Sequence, residues 1–148
     1  MKRKYYIAYG SNMDEVQMGW RCPYAKLVGT SEIKDYELLF KGSQTGAYAT
    51  IEPKKGSIVP ILVWSVTESD EARLDRYEGY PIFYYKKELP VIINGDEITA
   101  MVYIMDERRK IGVPSRSYYR ILEEAYLKFG FDYSILENAH NNCKSQSK

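Results

Sequence analysis

Residues 59–79, VPILVWSVTESDEARLDRYEG, join the most apolar run of the chain to one of its most charged. The run VPILVWSV reads as a buried strand, with Pro60, which lacks a backbone N–H, confined to its start or to an edge. Thr67 then stands where a helix N-cap belongs, and acidic residues crowd the positive end of the helix dipole behind it. Ala72, Leu74 and Tyr77 supply a partial inward face, and Gly79 and Pro81 stop the helix. Its last residue is Glu78, at the end where the dipole is negative and a carboxylate is unfavourable.

Working outward, residues 4–9, KYYIAY, read as a strand cut off by Gly10, after which Ser11 or Asn12 is placed to cap a short helix through about Trp20. Two extended segments, AKLVGTSEI and YELLFKG, and a third, AYATIEP, come next, with Gly42 and Gly46 punctuating the loop between the last two. Downstream, FYYKKELPVII and EITAMVYIM flank Asn94-Gly95, a strong hairpin signal because both central residues of a type I′ turn take positive φ. A further helix opens near Pro114-Ser115, carries Tyr118, Ile121, Leu122, Ala125 and Phe129 at helical spacing, and ends at Gly130. A second short helix follows Asp132, and the polar ending from about residue 141, NNCKSQSK, is expected to fray. Strands outnumber helices and are interrupted irregularly, without a repeat or a linker. The expectation is one α+β domain over residues 1–148, built on a strongly curved or barrel-like sheet.

A chain of 148 residues can bury a core without staples. Its 21 Lys and Arg against 20 Asp and Glu leave a net charge of +1, which gives no electrostatic footprint for nucleic acid. Cys22 and Cys143 are far apart and lack metal-type spacing, which favours a reducing compartment. The apolar part of MKRKYYIAYG is shorter than a signal-peptide core, and no run approaches bilayer length, so a cytoplasmic location without membrane association is expected. His140 is the only histidine and lies near the polar ending, which argues against a Ser/His/Asp triad and against a transition-metal site. The loop KGSQTGAYAT lacks the Lys-Ser/Thr ending of a phosphate loop, and DERRK at 106–110 reads as a solvated loop. No cofactor is expected, and the partner should be a small molecule or another protein. The 15 tyrosines, against 4 phenylalanines, suit a partly wet pocket or barrel wall, and equally a plain sheet surface.

Two features carry chemistry. Gly10 lets the backbone turn sharply while exposing its own N–H and the next one, a small nest for an anion or a carbonyl oxygen; a plain strand-to-helix turn is the simpler alternative. Glu78, if ringed by aromatic side chains at the negative end of its helix, would be raised toward the range of a useful general acid or base. A solvent-exposed glutamate before a turn is the simpler reading there too.

The blocks AYGSNM, AYATIEP, VWSVTESDEARLDRYEGYP and PSRSYYRIL, in that order and spread over most of residues 5–125, resemble the γ-glutamylcyclotransferase family, which includes the plant avirulence-induced-gene-like (AIG2-like) proteins. The resemblance implies a small mixed β-barrel flanked by helices, with a cavity at one end. It implies a transferase- or lyase-type cyclisation in which the α-amine of a γ-glutamyl group attacks its own γ-carbonyl, releasing 5-oxoproline and an amine or amino acid, without metal or cofactor. Carried over by position, Tyr9, Gly10, Ser11 and Asn12 would hold the glutamyl part, Glu78 would be the acid/base, and Tyr85 and Tyr118 would contact substrate. Ala47-Tyr48 stands where relatives often have Gly-Gly, which would put a ring near the pocket. The bulky residues between Gly79 and Tyr84 resemble the branch acting on γ-glutamyl amines. A non-catalytic sensor of a γ-glutamyl or amino-acid ligand is the alternative, and monomer and homodimer both stay open.

Overall fold

Thr67 caps its helix as its position predicts: its hydroxyl accepts from Asp70 N at 3.2 Å while Asp70 Oδ2 accepts from Thr67 N at 3.1 Å. This reciprocal pair is a capping box, and it fixes where strand becomes helix. The computed structural model describes residues 2–146. Its elements are β1 (Arg3–Ala8), α1 (Glu15–Arg21), β2 (Lys26–Lys41), β3 (Tyr48–Thr67), α2 (Glu68–Glu78), β4 (Tyr84–Ile93), β5 (Asp96–Met105), α3 (Arg116–Phe129) and α4 (Tyr133–Gln146), with a short 3-10 turn at Ser11–Met13. The fold class is α+β, as expected.

The five strands form one mixed sheet in the order β2-β3-β1-β5-β4, with β1 and β5 parallel and the other neighbours antiparallel. The expected barrel is not closed, because no ladder joins β2 to β4. The sheet curls instead until these edges touch through side chains: Ser31 Oγ donates to Ile92 O at 2.5 Å, and Lys87 Nζ to Tyr36 OH at 3.1 Å. Its curl has a visible cause. The extended segments expected on either side of residues 34–36 are one strand, β2, kinked at Asp35 (φ 63°), and those on either side of residues 54–58 are one strand, β3, kinked at Gly56 (φ 87°). The two kinks face each other, and Asp35 Oδ1 accepts from Gly56 N at 2.9 Å, so the ribbon bends as a unit. Pro60 pairs with β2 alone, since β1 reaches β3 only from Leu62 onward, and its missing N–H costs no ladder bond on that open side.

Other local expectations meet the structure in different ways. Asn94 (φ 52°) and Gly95 (φ 85°) turn the β4–β5 hairpin. Ser115 accepts from Tyr118 N at 3.2 Å to cap α3, and Gly130 (φ 69°) ends it. Asp14, rather than Ser11 or Asn12, caps α1, its Oδ1 accepting from Val16 N at 3.0 Å; the two earlier residues wind the 3-10 turn instead. On α2 the inward residues are Asp70 and Leu74, while Ala72 and Tyr77 are exposed.

From about 141, where fraying was expected, the chain is helical. Helix α4 continues to Gln146, because Leu136, Ala139 and Cys143 recur on one face and are buried, a stripe concealed by the polarity of the other face. Of the expected frayed ending, Ser147 and Lys148 lie outside the described residues. His140 stacks on Tyr119 with ring centroids 4.1 Å apart, tying α4 to α3. Among the described residues no helix is long and apolar enough to cross a membrane.

Candidate active site

The turn after β1, the last turn of α2 and the Tyr84 end of β4 surround a cavity of about 380 Å³, a size suited to a small ligand. Glu78 lines it and is partly buried. Among the described residues its carboxylate accepts no hydrogen bond. Loss of hydration pushes its pKa up to about 7, with the Arg21 guanidinium pulling the other way. The carboxyl group thus combines an open coordination sphere with a proton affinity matched to neutral pH.

Facing it is the turn that begins at Gly10. Met13 N donates to Gly10 O at 3.0 Å and Asp14 N to Ser11 O at 3.0 Å, whereas the N–H groups of Gly10 and Ser11 donate to no protein acceptor among the described residues. The first donors of a helical turn are left over in this way by geometry. Gly10 has φ −120°, so a left-handed conformation is not what requires glycine there. Proximity is: a Cβ would lie 3.1 Å from the Tyr118 hydroxyl and 3.5 Å from Ala49 Cβ.

The turn is pinned from behind. Trp64 Nε1 donates to Asn12 O at 3.1 Å, Arg21 Nη1 donates to Asn12 Oδ1, and Asn12 Nδ2 donates to Tyr6 OH at 2.8 Å. Arg21 also donates to Gln17 Oε1 at 2.9 Å and lies 3.6 Å over the Tyr77 ring, so it clamps the turn to the end of α2. Ser11 Oγ meets Tyr77 OH at 3.2 Å across the same junction.

Seven tyrosines line the cavity, and their hydroxyls are used differently. Tyr9 OH donates to Tyr103 O at 2.6 Å, Tyr84 OH to Ala49 O at 2.8 Å and Tyr103 OH to Asp75 Oδ1 at 2.6 Å. Tyr118 OH instead accepts from Ala49 N at 3.1 Å. Burial, reinforced by the charge of Glu78, holds Tyr6, Tyr9, Tyr84 and Tyr118 above the ordinary phenol range, so all four keep their protons. Tyr48 lines the cavity edge-on to Phe83 and Tyr118, as the Ala47-Tyr48 pair suggested.

The structure brings Tyr9, Gly10, Ser11, Asn12, Glu78 and Tyr118 to one cavity. Tyr85 does not belong there. Successive strand residues point to opposite faces, so with Tyr84 in the wall Tyr85 turns away, and its hydroxyl donates to the Glu107 carboxylate. Sequence reasoning missed Tyr6, Tyr84 and Tyr103. For Tyr6 and Tyr84 the available signal was the Tyr-Tyr doublets at 5–6 and 84–85, which, like 118–119, send one ring to the cavity and one elsewhere; Tyr103 stands in no such doublet. The run 106–110 is not wholly solvated either: the Arg109 guanidinium lies 3.9 Å over the Phe83 ring.

Comparison with known proteins bears on this geometry. The family model described as "Gamma-glutamyl cyclotransferase, AIG2-like" matches residues 6–126. A Homo sapiens protein named gamma-glutamylcyclotransferase is 33% identical over 126 residues, covering 79% of this chain and 66% of its own length, and the Bos taurus protein of that name is 32% identical over the same shares. The chain therefore spans just under two thirds of these curated relatives. A solved structure titled "Gamma-glutamyl cyclotransferase" superposes with a TM-score of 0.83 at 28% identity, covering 93% of this chain and 86% of that one. A yeast structure, titled as a cyclotransferase specific to glutathione, superposes with a TM-score of 0.68 at 11% identity, which is a likeness of fold alone.

Proposed function

The chain belongs to the γ-glutamyl cyclotransferase, AIG2-like family, and from that premise we propose that it converts a γ-glutamyl amide to 5-oxoproline and a free amine or amino acid, with Glu78 as general base and then general acid. The observation that carries the assignment is Glu78 itself, a partly buried carboxyl group with a pKa pushed up to about 7 and no hydrogen-bond donor among the described residues, lining a ligand-sized cavity. A carboxylate kept only for stability would be paired.

The reaction needs little beyond placement and one mobile proton. The α-amine of the bound glutamyl group is mostly protonated at neutral pH and cannot attack until it gives up a proton. That proton leaves to solvent; as the neutral amine closes on the γ-carbonyl, Glu78 accepts a second proton from the same nitrogen and delivers it to the departing nitrogen. Proton transfer of this kind contributes roughly 10²- to 10⁴-fold. Folding the glutamyl chain into its ring-closing shape supplies the remainder as an orientation effect. The free N–H groups of Gly10 and Ser11 suit the glutamyl α-carboxylate, and the Tyr118 hydroxyl, having accepted from Ala49 N, retains its own proton for a substrate oxygen. Asn12 acts through its neighbours, since both ends of its amide are bonded to the protein. A cytoplasmic location agrees with this small-molecule chemistry.

Incubation with γ-glutamyl amino acids, γ-glutamyl amines and glutathione, followed by mass spectrometry for 5-oxoproline, tests the assignment. The native protein is expected to release it from at least one class, and Glu78→Gln to bind the same compound without releasing it. Ligand binding without product across the whole panel would make the protein a sensor, and undiminished turnover by Glu78→Gln would remove the carboxylate from the mechanism.

A further inference from the structure

Three side chains form a line of hydrogen bonds whose direction is fixed by what each can donate. Arginine has no acceptor, so the Arg21 guanidinium must face the oxygen of the Asn12 amide. That leaves Asn12 Nδ2 for Tyr6, and an amide N–H only donates. The Tyr6 hydroxyl consequently spends a lone pair on Asn12 and keeps its proton. No other hydrogen bond engages it among the described residues, and the ring, 3% exposed and edge-on to Tyr103 at 5.9 Å, cannot swing out to bulk water. Tyr6 lines the cavity with Glu78. Tyr9 and Tyr84, in the same wall, have committed their protons to backbone carbonyls.

Building on the cyclotransferase reading, we propose that Tyr6 is a catalytic hydrogen-bond donor to the γ-carbonyl oxygen, and that Arg21 and Asn12 are positioning residues that aim its proton into the cavity. As the α-nitrogen bonds to the γ-carbon, the carbonyl π pair moves onto oxygen, where the Tyr6 O–H meets it, and the amine proton passes to Glu78. The pair then returns, the bond to the departing nitrogen breaks, and the proton on Glu78 goes to that nitrogen. Tyr6 neither gains nor loses a proton in the cycle. A donor aimed at a developing oxyanion is among the larger contributions an active site makes. Hydrogen bonds in series polarise one another, so the positive charge of Arg21 strengthens the last donor in the line.

Two variants and two readouts test this. Tyr6→Phe removes one oxygen and keeps the ring, and is expected to lower kcat about 10²- to 10³-fold while KM changes little. Asn12→Asp keeps an acceptor for Arg21 but cannot donate to Tyr6, whose proton then turns toward the new carboxylate. On the plateau of its own pH profile it is expected to lose as much as Tyr6→Phe, with no further loss when the two are combined. A merely structural Asn12 would show no such overlap. The second readout is calorimetric titration of the native and Tyr6→Phe proteins with 5-oxoproline, whose ring carbonyl takes the place of the acyl oxygen; the variant is expected to bind roughly tenfold more weakly. Turnover and binding by Tyr6→Phe within threefold of the native protein would overturn the proposal. Binding that depends on Tyr6, without turnover by the native protein, would support the donor and refute the cyclase. Absence of both binding and turnover in the native protein would overturn both.

Discussion

At the start of α2 the Asp70 carboxylate is buried and fully used: Oδ2 accepts from Thr67 N at 3.1 Å and Oδ1 from Tyr24 N at 3.4 Å, at the end where the helix dipole favours negative charge. Eight residues on, at the other end of the same helix, Glu78 faces an aromatic cavity with no donor among the described residues and against the dipole. One helix thus carries a carboxylate that holds the fold and another that opposes it. The second is tolerated because the first, with the capping box and the left-handed Gly79 stop, fixes the helix without it. Stability and chemistry are separated by about two turns of helix.

Exchanging the properties of the two ends should break this contrast most visibly at Glu78. Besides abolishing turnover, Glu78→Gln is expected to stabilise the protein at alkaline pH. A carboxyl group whose pKa rises from 4.5 to about 7 on folding contributes stability below pH 4.5 that is lost as pH rises through 7. The neutral amide has no such loss, so the variant should be more stable than the native protein at pH 8, by up to roughly 3 kcal/mol, and alike at pH 4. Thermal melts across that range check it. Asp70→Ala should do the reverse, costing about 1–3 kcal/mol by orphaning the buried Thr67 N–H while leaving kcat per folded molecule near native. Denaturant midpoints paired with active-site titration separate those two quantities. Arg21→Met removes the positive charge that lowers the Glu78 pKa, so the acid limb of kcat/KM should move to higher pH. The smallest effect is expected at Tyr85, where Tyr85→Phe should leave kcat and KM within twofold, because its hydroxyl serves Glu107 outside the cavity.

What could be read beforehand follows the same division. Thr67, Asn94-Gly95, Ser115 and Gly130 act through their own backbone neighbours, and their roles were legible from local chemistry. Glu78 was legible as an acid at the wrong end of a helix. The tyrosines were not, because each doublet leaves the phase of the element undetermined. In β1 the second ring, Tyr6, is buried and Tyr5 is exposed, whereas in β4 the first, Tyr84, reaches the cavity and Tyr85 does not. Register settles that choice, and register depends on pairing with distant strands. The barrel was misjudged for a related reason, since its closure turns on whether two edges 61 residues apart in sequence exchange ladder bonds or, as at Ser31 and Ile92, a single side-chain contact. Cys143 and its stripe were concealed by the polar face they share a helix with.

The claim on which the rest depends is that Glu78 works as a base because the cavity raises its pKa. The pH dependence of kcat/KM for 5-oxoproline release tests it most directly. Activity is expected to rise with pH through an ionisation near 7, the value to which the cavity pushes the Glu78 carboxyl. A native profile that is flat from pH 5.5 to 8.5, or whose acid limb lies near the ordinary carboxylate value of 4.5, would contradict it.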